Sequence, residues 1–376
     1  MKLAHLAKAA LVTSVATVSV LALAACSAGV QIPGIPAPST PPPKVYVTAP
    51  LTGVQYEEGT PQALQLAKPS VACKIDNGSE APRPQSGLNS TDIVFDEMVE
   101  GGLTRLVAIW HSAQPDAIGP VRSIRPMDPD IISPFGGIVC YSGGQWAFVK
   151  AMEAAPVFNA SETSEQGKGT FSRASDRVAP HNVVVNVQKL ANDHPELTGP
   201  AAQFEFAADL LGSSVMTADT GGASASMAAV SDFTVKFPSA TAKWVVSKDF
   251  TKWLRVQDGK PLKDKLDGEQ VSAVNVVVLE VKEDRSYKDH KYGNVPKAVL
   301  IGSGKGQVFI GGAGVPVTWS KDSATSPIKL LSASGQAFKL APGNTWVELM
   351  PVAPEGSLKV NYAPAASPSP SASPKK

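Results

Sequence analysis

Leu103-Thr104-Arg105-Leu106-Val107-Ala108-Ile109-Trp110-His111 is the stretch on which the fold turns. A near-continuous run of aliphatic and aromatic residues at this length predicts a strand buried on both faces. Side chains alternate across a strand, so Arg105 and His111 share one face with Val107 and Ile109. A guanidinium and an imidazole in such a strand are costly unless paired or hydrogen-bonded. Either an Arg105–carboxylate pair holds the fold, or a polar site opens at one face of the sheet.

Further strands are expected on either side of this run, at Val71–Ile75, Asp92–Glu97 and Val183–Val187. Asp128-Pro129 suits the N-cap and first position of a short helix through Ile132. Gln145–Ala155 reads as a helix with Trp146, Val149 and Met152 on one face. Beyond a weak Thr-, Gly- and Ser-rich stretch the pattern becomes β-rich. Phe233–Phe237, Trp244–Val246 and Trp253–Val256 alternate, and Val274–Val281 is a long β-branched run. Turns are expected at Asp258-Gly259, Asp267-Gly268 and Gly311-Gly312, and Gly302–Gly306 reads as a hairpin turn between Val299–Ile301 and Val308–Ile310. Trp244, Trp253, Trp319 and Trp346 are expected in the core. The fold class is α+β: an N-terminal mixed-sheet α/β unit over 63–212, a linker over 213–229, and a β-rich C-terminal unit over 230–362.

The two ends differ from this middle. Lys2 and Lys8 precede an uncharged run from Ala9 to Ala25, shorter than the ~20 residues of a membrane-spanning helix. That is the pattern of an export signal over residues 1–25. Leu23-Ala24-Ala25-Cys26 is a lipobox, which predicts cleavage before Cys26 and acylation of its thiol. Lipid chains gain ~0.8 kcal/mol per buried CH₂, so they would tether the chain to the outer face of a cell membrane. The Pro-rich stretch over 26–62 reads as a semi-rigid spacer, and the tail over 363–376 as disordered.

The formal net charge of the whole chain is +1, and residues 1–25 carry Lys2 and Lys8 but no acid. A mature chain this close to neutral disfavours nucleic acid as a partner, because such binders show a basic excess. Outside the cytoplasm Cys73 and Cys140 are free to form a disulfide; two buried thiols are the alternative.

Several segments together resemble a known family. They are Lys74-Ile75-Asp76-Asn77, Ala81-Pro82-Arg83-Pro84-Gln85-Ser86-Gly87-Leu88, Glu97-Met98-Val99-Glu100-Gly101-Gly102-Leu103-Thr104-Arg105 and Gly119-Pro120-Val121-Arg122-Ser123-Ile124-Arg125-Pro126. Asn275-Val276-Val277-Val278, Gly302-Ser303-Gly304 and Pro342-Gly343-Asn344-Thr345-Trp346 follow in the C-terminal half. Over residues 70–352 the chain resembles the YerB family of bacterial lipoproteins, a domain of unknown function with N-terminal and C-terminal parts. The resemblance implies lipid anchoring and two parts; it supplies no catalytic residues.

Candidate chemistry therefore comes from the residues. Arg122 and Arg125 present two guanidinium forks for a phosphate or carboxylate, or else tie their loop to Asp128, Asp130 or Glu100. Ser142-Gly143-Gly144, between a strand and the Trp146 helix, would expose backbone N–H groups to an anion, or is simply a tight turn needing positive φ. Pro180-His181-Asn182 is the most site-like histidine segment. No zinc signature, nucleophile elbow or dinucleotide fingerprint is present, so neither a metal nor a cofactor is expected.

The leading expectation is an anionic cell-envelope ligand, or an envelope protein displaying one, bound by Arg105, Arg122, Arg125, Ser142, Gly143, Gly144 and His181. The alternative is a hydrolase of phosphodiester or related envelope polymers, so enzyme status stays open. There Glu97 or Glu100 would be the general base, His111 or His181 the acid, and the arginines the oxyanion stabilisers. A third expectation is a protein-interaction scaffold built on the β-rich part, with an exposed apolar patch there and a sealed N-terminal part.

Overall fold

In the computed structural model, residues 43–78, 81–217, 229–289 and 293–363 are described. The export signal, Cys26, most of the expected spacer, much of the 213–229 linker and nearly all of the tail lie outside them. Residues from Lys44 onward form one compact unit.

The decisive strand is Thr104–Trp110, and every residue in it is buried. It lies between Ile93–Met98 and Val71–Asp76, antiparallel to both. Val71–Asp76 continues in parallel into Ile138–Tyr141 and then Phe158–Ser161. On its other side Ile93–Met98 pairs in parallel with Thr345–Pro351, which pairs in parallel with Asn275–Asp289. Gly302–Ile310, Ala313–Lys321 and Lys329–Leu331 complete the series. The N-terminal mixed part and the β-rich part thus share one sheet, joined at Thr345↔Ile93 through Glu348↔Asp96.

Alternation sorts the core into two layers. Val107, Ile109, Phe95, Val277 and Leu349 face the helices Asp128–Ile132 and Trp146–Glu153, which contribute Ile131, Phe148 and Met152. Leu106, Ala108, Trp110, Val276 and Trp346 face a second sheet, whose Phe233, Trp244 and Trp253 close the opposite layer. That sheet runs Lys260–Pro261, Trp253–Gln257, Thr241–Val246, Val230–Lys236, Ser357–Tyr362, all antiparallel. Each fully buried Leu, Ile or Phe side chain contributes roughly 1.5–3 kcal/mol. The four expected core tryptophans are indeed buried, whereas Trp146 is 76% exposed and only Val149 and Met152 of its expected face turn inward. The disulfide Cys73–Cys140 links adjacent strands.

Three local expectations need correction. Within the stretch read as spacer, Tyr46–Thr48 and Gln55–Glu57 form a hairpin and Leu51 is fully buried. The average composition hid one short apolar anchor. Gly302–Gly306 is strand rather than turn: Gly306 pairs with Leu279 and Val317, and its missing side chain leaves room for Leu279. Asp128 is the first helical residue rather than the N-cap, because its carboxylate is committed to Lys74 and to the Arg125 backbone N–H. The Asp258-Gly259 turn is as expected, with φ of 49° and 81° closing the hairpin register Gln257↔Lys260.

Candidate functional site

Asp76 ends the Val71–Asp76 strand, opposite Arg105. Beside it runs the segment from Gly119 to Arg125, held by Asp76 N–H to Pro120 O (3.0 Å) and Arg122 N–H to Lys74 O (2.8 Å). Gly119 is required here: its φ is 150°, and a Cβ would stand 2.6 Å from the Val183 carbonyl. The Ser142–Gly144 turn flanks the same segment, with Ser142 N–H donating to Arg122 O (3.1 Å) and Ile124 N–H to Gly143 O (3.0 Å). Arg122, Arg125 and that turn are therefore brought together. Gly143 has a φ of 142°, as a tight turn needs.

The polar groups divide into an open set and a closed one. Asp76 Oδ2 lies 2.7 Å from His181 Nδ1 and 3.0 Å from Arg122 Nε. The Arg122 contact is an ion pair lacking the angle of a hydrogen bond. Asp76 is nearly buried, while the Arg122 and His181 side chains are 21% and 27% exposed. Arg125 is tied to Glu100 through Nε (2.8 Å), as the loop-tying alternative expected. Arg105 has no carboxylate partner among the described residues; it donates to Ser123 O (2.8 Å). Burial, with Arg125 and Arg122 nearby, pulls Arg105 down to about 10. Three guanidinium groups thus crowd one region that Asp76 and Glu100 only partly neutralise.

Above Asp76 a cavity of about 550 Å³ is lined by Ala81, Arg83, Pro84, Asp176, Arg177, Val178, His181 and Lys265. Arg177 donates to the carbonyls of Pro82 and Pro84, so its charge has no carboxylate partner among the described residues. Lys265 pairs with Asp176, and Arg83 with Asp258 (2.8 Å). One wall comes from the C-terminal half, where the Lys265 N–H donates to Gln85 O (2.7 Å).

The other candidates lie inside. Glu97 is fully buried against Lys74 and Asp128. Burial first, and then the charge of Asp128, pushes its carboxyl up to about 8. His111 is fully buried, with Nε2 3.1 Å from Leu66 O. Neither lines the cavity, and Glu100 is engaged by Arg125. Sequence reasoning did not single out Arg83, Arg177 and Lys265. Only their position around the Pro82–Pro84 loop shows their convergence, although Arg177 does sit four residues before His181.

A second buried cluster joins the two sheets. Arg255 Nη1 lies 2.6 Å from Glu348 Oε1, and its Nη2 bonds Asp96 and Gln257. Its guanidinium stacks 4.4 Å from the Trp346 ring centroid and 5.1 Å from that of Trp244. Arg255, Asp96 and Glu348 are all 0% exposed.

Among the described residues no helix is long and apolar enough to cross a membrane. Comparison with known proteins finds matches for both halves. A family model described as the N-terminal domain of a protein of unknown function (DUF3048) matches residues 51–199, and the C-terminal domain of the same family matches 233–347. "Putative lipoprotein YerB" of Bacillus subtilis (strain 168) is 26% identical over 304 residues, 81% of this chain and 86% of the relative. The crystal structure of the YerB protein from Bacillus subtilis superposes with a TM-score of 0.68 at 22% identity, covering 83% of this chain and 99% of that one. It shares the fold. With both of its domains matched in order, the chain belongs to the DUF3048 family.

Proposed function

We propose that the protein is an exported lipoprotein, tethered through Cys26 to the outer face of the cell membrane, whose groove beside Asp76, Arg122 and His181 binds an anionic envelope ligand. One observation carries this reading: a 550 Å³ open cavity rimmed by Arg83, Arg177, His181 and Lys265, with Asp176 the one acid in its lining. A phosphate or carboxylate there meets guanidinium forks able to bind it bidentately. Arg122, whose side chain is 21% exposed, stands behind His181 on the shared Asp76 carboxylate and adds positive field there rather than a lining contact. Arg105 and Arg125 supply positive field from below rather than direct contacts.

The test is thermal stability of the unit from Lys44 onward with phosphodiesters and glycan acids. A ligand at 100 times its Kd adds about 2.7 kcal/mol. That shift should vanish in Arg177→Ala, with the variant folded; no shift with any compound contradicts the reading. Anchoring is tested separately: Cys26→Ala should leave the protein unlipidated and released from the membrane.

A hydrolase is the second reading, favoured by the Asp76–His181 contact at the edge of an open groove. Asp76 would fix the tautomer by accepting from Nδ1–H, leaving Nε2 to take a proton from water. Asp76→Asn and His181→Ala would then abolish product release while the anion still binds.

A further inference from the structure

The 550 Å³ cavity does not end at its rim. A second cavity, of about 310 Å³, shares Arg83 and Pro84 with it and continues past Lys260, Lys263 and Leu262. A third, of about 370 Å³, shares Arg177 and Lys265 and continues between Ser86, Gly119 and Ser172. The three share lining residues in series around the segment from Ala81 to Ser86, and each takes residues from both the N-terminal and the C-terminal half. Among their described lining residues stand five lysines and arginines (Arg83, Arg177, Lys260, Lys263, Lys265) against one aspartate, Asp176.

This excess is concentrated although the whole chain carries a formal charge of only +1. A compact anion would engage one of these cavities and leave the rest unexplained. We infer that the groove holds an extended polyanion, a linear envelope chain carrying repeated phosphate or carboxylate groups, laid across the line where the two halves meet.

The ion pairs along the route suit such a ligand. Lys265–Asp176 has side-chain exposures of 43% and 57%, and Arg83–Asp258 of 14% and 36%. The Lys265–Asp176 pair is open enough to contribute little to stability. An arriving anion can therefore displace Asp176 and take over Lys265, while the largely covered Arg83 keeps Asp258 and adds its charge from the wall. Arg177 and exposed Lys263, which have no carboxylate partner among the described residues, bind without any such exchange. Several weak contacts on one chain then act at a high effective concentration.

This inference rests on the anionic-ligand reading above, and the experiment separates the two. Tripolyphosphate and long-chain polyphosphate are titrated against the unit from Lys44 onward, with short and long polyglutamate as the carboxylate arm. Long chains should bind at least about tenfold more tightly than short ones at equal total charge, through the linked-site effect. Lys263→Glu should erase that gain and leave the short probe's affinity unchanged, whereas Arg177→Ala weakens both. A length gain in only one arm supports the inference and names the anion. Equal affinity for short and long chains overturns the extended groove and leaves the anion site standing. Failure of every probe overturns both, whereas capture by anionic phosphatidylglycerol vesicles alone overturns the extended polyanion and leaves an anion site standing.

Discussion

Two clusters of carboxylates and arginines have their carboxylates, Asp76 in one and Asp96 with Glu348 in the other, on the same sheet and end in opposite conditions. At Arg255 every component is sealed: Asp96 and Glu348 face each other on parallel strands, and Trp244 and Trp346 close over the guanidinium. Burial, opposed by Arg255 and reinforced by Glu348, leaves the Asp96 carboxyl pushed up to about 7. At Asp76 the carboxylate is buried but its partners are partly exposed, and one of them, His181, lines the groove. Residue type therefore does not separate structural charge from functional charge. What separates them is whether the last donor faces protein or water. The sealed cluster joins the two halves of the chain, and the open one lies where those halves leave a gap.

The comparison can be broken at several points. Arg255→Met should have the largest effect. It strands Asp96 and Glu348 without a counter-charge, at a cost of about 3–5 kcal/mol in chemical denaturation. A loss below about 1 kcal/mol would mean the cluster does not join the halves.

The next effect is pH-dependent. Glu283 is largely buried, its carboxylate oxygens have no hydrogen-bond partner among the described residues, and desolvation pushes its carboxyl up to about 8. An acid whose folded pKa is raised stabilises fully below its unfolded value and loses that contribution as pH rises to the folded value. The window is therefore about pH 4.5 to 8. Glu283→Gln should match the parent near the bottom of that window. Above its top the variant should be more stable, by an amount on the order of a few kcal/mol. Parallel stability curves across the window would contradict the assignment.

Arg122→Ala comes third. It leaves Asp76 with His181 as its remaining side-chain partner, so a cost of about 1–2 kcal/mol is expected together with weaker anion binding. Arg177→Ala is the smallest in stability, within about 0.5 kcal/mol, because its bonds go to neutral carbonyls at the surface. Its effect should appear in binding alone. Melting curves and titrations of the two variants, run side by side, check this separation.

Much of this architecture is legible in local pattern. The run at Leu103–His111 gives the central strand, Val274–Val281 gives another, and Asp258-Gly259 gives its hairpin. The joining of the halves is not legible. It depends on Thr345–Pro351 lying beside Ile93–Met98, a parallel pairing between distant segments that no local period encodes. The candidate site is half legible for the same reason. Arg122, the Ser142–Gly144 turn and His181 stand out as polar groups beside apolar strands or glycines. Asp76 falls just beyond the expected Val71–Ile75 strand, Arg177 stands out only as a neighbour of the His181 segment, and Arg83 and Lys265 read as ordinary surface charge until the Pro82–Pro84 loop gathers them. Conversely, Glu97 and His111 carry chemically suggestive side chains that the sheet buries.

The most direct test of the open-versus-sealed account is calorimetric titration of inorganic pyrophosphate, at low salt, into the unit from Lys44 onward and into its Arg177→Ala form. The account predicts saturable binding in the parent and at least about tenfold weaker binding, a loss of 1.4 kcal/mol, in a variant of unchanged melting temperature. Equal affinity in the two proteins, or no binding to either, would contradict it.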